Sequence, residues 1–552
     1  MKLILTEYIN SLKEDGELDK LIQDILLAHG FEIFSLPERG RQYGVDVYAV
    51  GKDFEDNKQK KVFLITVKQG DIDRQKWNVD QNCVQQSLDE IRTVFIRNNL
   101  AAQHVDLPKK IIVVSNGRIK QALQQNWRAY QDDYKSYEYV YWGIDFLVNE
   151  FQTNLLNEDS FSNDVRSLIR KTIISLEDPN YDLRDYSNLL KALLKEFQTA
   201  KQKRKKLMLL KQLRLVVNII TKYSHEAGNL KHGIKCVEKY ILWLWSEIAK
   251  DENNESLIST YLNAYHDQIK VFLSYYNKLS YISQIKDGFG KGTHESLVYT
   301  DILYEQIGIF SLSALLLLQI TDLAKTEDFT EPMLQKANDI ANTLTGILNN
   351  NGIFFTPRAD EHHIEINLLF ILFHRLGRIN DIKNILHFFC NQIGEGFLFS
   401  KIFPVFSNSV REMAELEVDH EKRKNYEYGS STLITSLVEW ALAIGDENLY
   451  KNYVLLKEKV LKDIGLALWM PDKETEMYIY DKNTVSDTGY TLTGIHLFDN
   501  FEDYKNLTIE EYANNCAEKE FSFIQKGFWS IGLIAARHYR TYIFPHYWRQ
   551  FI

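Results

Sequence analysis

At 552 residues the chain is longer than one hydrophobic core usually supports, so two or three domains are expected. Its composition, 45% apolar and 25% charged, is ordinary for a soluble globular protein, and only 8 prolines and 26 glycines argue for long helices. The net charge of -10 excludes attraction of the whole molecule to nucleic acid, so any such binding has to use local basic patches.

In chain order, residues Met1 to Glu7 carry no long apolar run, so no signal peptide is expected. Residues 18 to 29 have helical period, with Leu18, Leu21, Ile22, Ile25 and Leu26 on one face. Asp19 sits at the edge of that face and Glu17 on the opposite flank, so Asp19 is the preferred helix carboxylate. The bland alternative is a solvated acid. Phe31 to Leu36 reads as a strand. The polar connection that follows holds Arg39 and Arg41, for which phosphate contact and simple solvation are equally good readings. Gly44 to Val50 and Val62 to Lys68 then read as two strands of a hairpin, rich in β-branched and aromatic residues and broken at Gly51-Lys52-Asp53. Alternation puts Thr66 and Lys68 on one face and Phe63, Ile65 and Val67 on the other. If the strands pair, Asp46 lies beside Lys68, and a carboxylate with an ammonium at a sheet edge makes an ion pair or a metal-and-water site. Residues 80 to 97 form a covering helix on Val84, Leu88, Ile91 and Phe95. Strand and helix alternate up to about residue 150, an α/β pattern.

Gly44-Val45-Asp46, followed by an apolar strand ending in Thr66-Val67-Lys68, resembles the PD-(D/E)xK nuclease pattern, specifically its Mrr-like restriction endonuclease branch. The flanks agree: the helix Leu18 to His29 closing on Gly30-Phe31, the strand Ile111 to Gly117, and the strand-to-helix turn Tyr141 to Leu147 match landmarks of that family in order. The resemblance covers roughly residues 15 to 150. It implies a restriction-endonuclease-like domain over 1–155, a mixed sheet flanked by helices, that hydrolyses phosphodiesters of DNA with Mg²⁺ or Mn²⁺. By the same resemblance Asp46 and Asp19 hold the metal, the carbonyl of Val67 is a further ligand, and Lys68 orients the attacking water or offsets developing charge. One departure stands out. Thr66 occupies the place of the family's Glu or Gln, and a neutral hydroxyl brings no charge to a hard cation, so at best it hydrogen-bonds a metal-bound water. Asp71 or Asp73 just beyond the strand is a weaker substitute.

After the polar cluster Asn157 to Asp164 the pattern is mainly helical, and residues 165–552 are expected to be an all-α region, of irregular helical repeats or two subdomains. Among its candidate helices are Leu257 to Phe272 and Tyr453 to Leu468. The apolar stretch Ile307 to Ile320 is shorter than the about 20 residues a bilayer takes and reads as a buried helix, so no membrane is expected. Lys203, Arg204, Lys205 and Lys206 form the strongest basic run, a solvated helix face or a nucleic-acid contact. Gly288 to Thr293 fails the spacing of a phosphate loop. Arg358 and His363 match the Arg-x4-His spacing of helical HEPN-type RNases, which keeps a metal-independent RNase in the helical region as an alternative. His362, His363 and Glu365 are a weak metal set, since adjacent residues on a helix point about 100° apart. The aromatic stretch Phe521 to Ile552 reads as core or dimer contact. Cys83, Cys236, Cys390 and Cys516 have no CxxC partners and read as reduced thiols of a cytoplasmic protein. The resemblance further implies an anti-phage defence effector of bacteria, regulated by a partner protein or signal ligand at the helical region. A nuclease-fold protein that has lost cleavage and serves as a scaffold is the other alternative, with Thr66 in its favour.

Overall fold

The computed structural model describes residues 2–34, 43–56, 59–151, 163–251, 254–290, 296–324, 327–400, 410–480 and 488–552. Arg39 and Arg41 lie outside the described residues, as does the side chain of Arg204. The chain forms two compact units: Met1–Ser175 with Asp182–Lys222, and Leu176–Tyr181 with Tyr223–Ile552.

The first unit is built on a five-stranded mixed sheet in the order β1-β2-β3-β4-β5. Its strands are β1 (Glu32–Ile33), β2 (Val47–Lys52), β3 (Lys60–Lys68), β4 (Lys109–Ser115) and β5 (Glu138–Trp142). β1, β2 and β3 pair antiparallel, as a hairpin dictates, while β3, β4 and β5 pair parallel, each joined by a helical crossover. Both faces of β3 are covered, and every residue from Lys61 to Val67 is buried. Leu64 and Val62 join Tyr48, Val50, Ile111 and Val113 on one face, under Val84, Leu88, Ile91 and Phe95. Phe63, on the other face, meets the rings of Phe31, Phe54 and Trp142. The covering helix expected over 80–97 is present but interrupted: Val84–Glu90 passes into a π-helical turn, Ile91–Phe95, before Ile96–Asn98.

The two units divide later than the change of composition at 157–164. The helices Asn163–Ser175 and Arg184–Thr199 belong with the sheet, as does Lys203–Glu226 up to Lys222. That last helix is tied to the unit by the Lys211–Asp24 ion pair at 3.0 Å and by Lys222 donating to the carbonyl of Glu7.

The second unit is largely helical, with long helices at Leu230–Lys250, Glu255–Leu279, Ser296–Leu323 and Glu327–Asn350, followed by shorter ones. It is not all-α. A small sheet of β6 (Ser430–Ser431), β7 (Gly465–Met470) and β8 (Tyr490–Thr493) lies within it. The helix expected over Tyr453 to Leu468 ends at Lys459, and Leu466 to Met470 form a buried strand. A short run that is apolar on both faces carries no period, so pattern alone does not separate strand from buried helix. Ile307 to Ile320 belongs to a longer helix than expected. Its segment Val298–Leu323 is long and apolar enough to cross a membrane by length and composition, yet 78% of its most apolar window is buried inside the fold. Much of the aromatic C-terminal stretch is core, with Phe521, Phe523, Tyr547 and Trp548 buried.

Candidate active site

The site begins with a mismatch in strand length. β2 starts at Val47, paired with Ile65, whereas β3 runs on to Lys68. The amide of Asp46 still donates to the carbonyl of Ile65 at 2.8 Å, and beyond it β3 has no neighbour on that side. The N–H of Val67 therefore lacks a strand partner, and the Asp46 carboxylate accepts it at 2.6 Å. Along an extended strand the N–H and C=O of one residue point the same way, so the Val67 carbonyl faces the same gap. Asp46 stands opposite Thr66, whose hydroxyl donates to the same carboxylate oxygen at 3.3 Å. The approach to Asp46 requires glycine: Gly44 has φ +79°, and a Cβ there would collide with the carbonyl of Ser87.

A second carboxylate reaches this rim from a place that the sequence pattern did not mark. Asn116, buried just after β4, donates to the carbonyls of Ile9 at 2.9 Å and Leu12 at 2.8 Å. The chain leaving the helix Lys2–Asn10 is thereby pinned at the sheet, and the π-helical turn Glu14–Leu18 follows directly. Glu14 receives Lys68 at 3.3 Å and the amide of Gln69 at 3.2 Å. Lys68 is mostly buried, with a side chain 13% exposed, and Glu14 is open to water at 38%. Lys68 thus pairs with Glu14 rather than closing on Asp46, although its charge still acts on Asp46.

Burial pushes the Asp46 carboxyl up to about 6, against the Val67 N–H and Lys68, which favour the charged form, and with help from the like charge of Glu14. Asp46 is thus ionised at neutral pH but held at a cost, as expected of an anion short of positive partners.

The other expected residues fall as follows. Asp19 is buried at 3% at the start of the helix Asp19–Ala28, one oxygen accepting the amide of Lys20 at 2.7 Å. The charges that act most on Asp46 are those of Lys68 and Glu14. Glu17 accepts the amide of Lys13 at 3.0 Å and closes the turn. Thr66 is fully buried. Asp71 is taken by Lys120 at 2.5 Å and Asp73 caps the helix Arg74–Asn78. Lys203 and Lys205 are exposed in the same compact unit, and Lys206 lies over the Phe197 ring. In the second unit His363 is buried at 2%, with Nδ1 against the Asp360 carbonyl, and His362 stacks on Tyr304 within reach of Asp301 at 3.2 Å. Among the described residues the one group of three side chains clustered closely enough to hold a metal is Asp53, Asp56 and Glu138, at the far end of the sheet. Lys61 and Lys110 already occupy it, with Lys61 2.7 Å from Glu138 and 2.9 Å from Asp56.

A scan against models of known protein families, a search of curated proteins and a search of solved structures each returned no match.

Proposed function

We propose that the first unit is a metal-dependent endodeoxyribonuclease of the PD-(D/E)xK type, Mrr-like branch, and that the helical unit regulates it as a defence effector. The observation that carries this reading is the constellation at the rim of β3: the Asp46 carboxylate on the Val67 N–H, the Val67 carbonyl at the unpaired edge, and Lys68 with Glu14 beside them. The donor set suits a hard cation, being carboxylate and carbonyl oxygen at an edge that Glu14 keeps open to water. Asp46, the Val67 carbonyl and either Glu14 or Asp19 would hold the ion. When bound, such an ion supplies positive charge against a phosphodiester and makes a water more acidic.

The chain's own groups divide the remaining work. Lys68, fixed by Glu14, presents an ammonium to the charge that develops on the phosphate. Thr66 holds Asp46 in place through its hydroxyl, so it positions a ligand rather than acting as one. The exposed Lys203 and Lys205 are available for the DNA backbone, a contact that needs no base recognition.

The test is purified full-length protein with plasmid DNA, with and without Mg²⁺ or Mn²⁺. Cutting is expected only with metal, to survive Thr66→Glu, to vanish in Asp46→Ala and to drop roughly 10²–10³-fold in Lys68→Ala. Equal cutting by parent and both alanine variants overturns the assignment. Thr66 also favours a second reading, a nuclease fold kept for binding alone. Calorimetry separates the two, because a dead site takes up Mg²⁺ or Mn²⁺ poorly.

A further inference from the structure

In the second unit, the helix Phe501–Asn515 ends at Cys516, a short turn Ala517–Glu520 follows, and His546 opens the last helix, His546–Arg549. Arg549 fixes these segments together, bonded to Glu511 at 3.2 Å and, through its other nitrogens, to the buried Glu439. Glu511 lies just over one turn before Cys516 on the same helix, so the clamp sets where the thiol meets the imidazole.

The hydrogen bonding there does not balance. Nδ1 of His546 has two hydrogen-bond neighbours, the Cys516 sulfur at 3.5 Å and the Tyr512 hydroxyl at 3.2 Å. A neutral ring nitrogen offers one lone pair, so it cannot accept from both. Beside it Glu518 is 1% exposed and neither carboxyl oxygen has a hydrogen-bond partner. Its carboxyl lies against the Cys516 thiol. Leaving an acid buried and unbonded costs on the order of 1–3 kcal/mol. One cation would remove both faults, giving the crowded nitrogen and the orphaned carboxylate a shared partner.

We propose that Cys516, Glu518 and His546 bind one zinc-class divalent ion, with water in the fourth position. The spacing fits: bonds of about 2.3 Å to sulfur and 2.0–2.1 Å to nitrogen at a tetrahedral angle put the two donors about 3.6 Å apart, and Sγ and Nδ1 stand at 3.5 Å. Thiolate, imidazole and carboxylate together are borderline-soft, the set zinc takes and magnesium does not. The three donors do not yet converge within a common sphere, so on binding Glu518 turns from the thiol toward the ion. Cys516 is partly exposed, which leaves a way in. A catalytic thiol is the poorer reading of the same residues: burial holds the Cys516 thiol protonated and the His546 imidazole neutral, the reverse of a thiolate–imidazolium pair.

The experiment uses the full chain, stripped with chelator and titrated with Co²⁺ as the probe. The expected result is a thiolate-to-cobalt charge-transfer band that saturates at one equivalent, is displaced by Zn²⁺, and is lost in Cys516→Ala and His546→Ala but kept in Cys390→Ala. No band in the parent, or a band that survives both Cys516→Ala and His546→Ala, overturns the proposal. Zinc-edge X-ray absorption on the loaded parent decides the matter even where those variants do not fold. It must give one sulfur near 2.3 Å, and a shell of nitrogen and oxygen alone overturns the site. Neither result depends on the nuclease reading of the first unit.

Discussion

The two ends of β3 carry the same kinds of residue and treat them in opposite ways. At its start Lys61 and Lys110, both nearly inaccessible, are shared among Asp53, Glu55, Asp56 and Glu138 at 2.7–3.2 Å. At its other end, about 23 Å away at ~3.3 Å per residue, Asp46 has one amide and one hydroxyl and no ammonium within ion-pair distance. Burial alone would raise both aspartates. Asp53, surrounded by ammoniums, nevertheless ends below the ordinary carboxylate range, while Asp46 ends up at about 6. One rim is electrostatically closed and does structural work, whereas the other holds back negative potential that a cation can satisfy.

The largest break in that contrast comes from opening the closed rim. Lys110→Met removes an ammonium lying between Asp53, Glu55 and Glu138 and leaves buried carboxylates uncompensated. A loss of about 3–5 kcal/mol is expected, read as a fall in the urea midpoint with unchanged slope.

Closing the open rim has the opposite sign. Because the folded state raises Asp46 from 3.8 to about 6, it binds that proton more tightly than the unfolded chain does. The stability this gives is full below pH ~4 and is lost as pH rises through ~6. Asp46→Asn keeps an acceptor for the Val67 N–H and carries no charge, so it should be more stable than the parent by up to about 3 kcal/mol above pH ~6 and no different below pH ~4. Paired melts at two pH values check this. A variant that gains stability and loses cutting would separate the function of Asp46 from its structural role. The parent's cutting should also fade as pH drops below ~6, where Asp46 takes up its proton.

Much of the open rim was legible in the sequence. Gly44-Val45-Asp46 and Thr66-Val67-Lys68 announce their alternation, and the antiparallel register of β2 and β3 sets Asp46 opposite Thr66, two residues before Lys68. Glu14 was not legible. It precedes the periodic helix, in a π-helical turn that a 3.6-residue period does not describe, and the residue that brings it to the rim is Asn116, a hundred positions away in sequence. A signal was present in the run Glu14-Asp15-Gly16-Glu17, dense in acid and broken by a glycine at φ +76°. The closed rim was hidden for the same reason, since its six charges come from four segments that only the parallel crossovers assemble. In the second unit, β7 was read as helix because five consecutive apolar residues show no period at all.

The backbone at the open rim offers a more modest test. Gly44→Ala adds a methyl at φ +79° against the Ser87 carbonyl, and a loss of about 1–3 kcal/mol is expected. Thermal unfolding measures it, and a cost near zero would mean that the turn before Asp46 can relax.

The smallest expected effect is the most discriminating, because it asks which charges Asp46 feels. Lys68 pulls the Asp46 carboxyl down and Glu14 pushes it up, while the two also hold one another at 3.3 Å. Lys68→Met should therefore raise the Asp46 titration midpoint above ~6, and Glu14→Gln should lower it, each followed by carboxyl-carbon NMR of the apo protein. The double variant should fall between them, with a residual that reports the Lys68–Glu14 coupling. If Glu14→Gln leaves the midpoint unmoved while Asp19→Asn shifts it, the second acid at the rim is Asp19, and the helix rather than the π-helical turn completes the site.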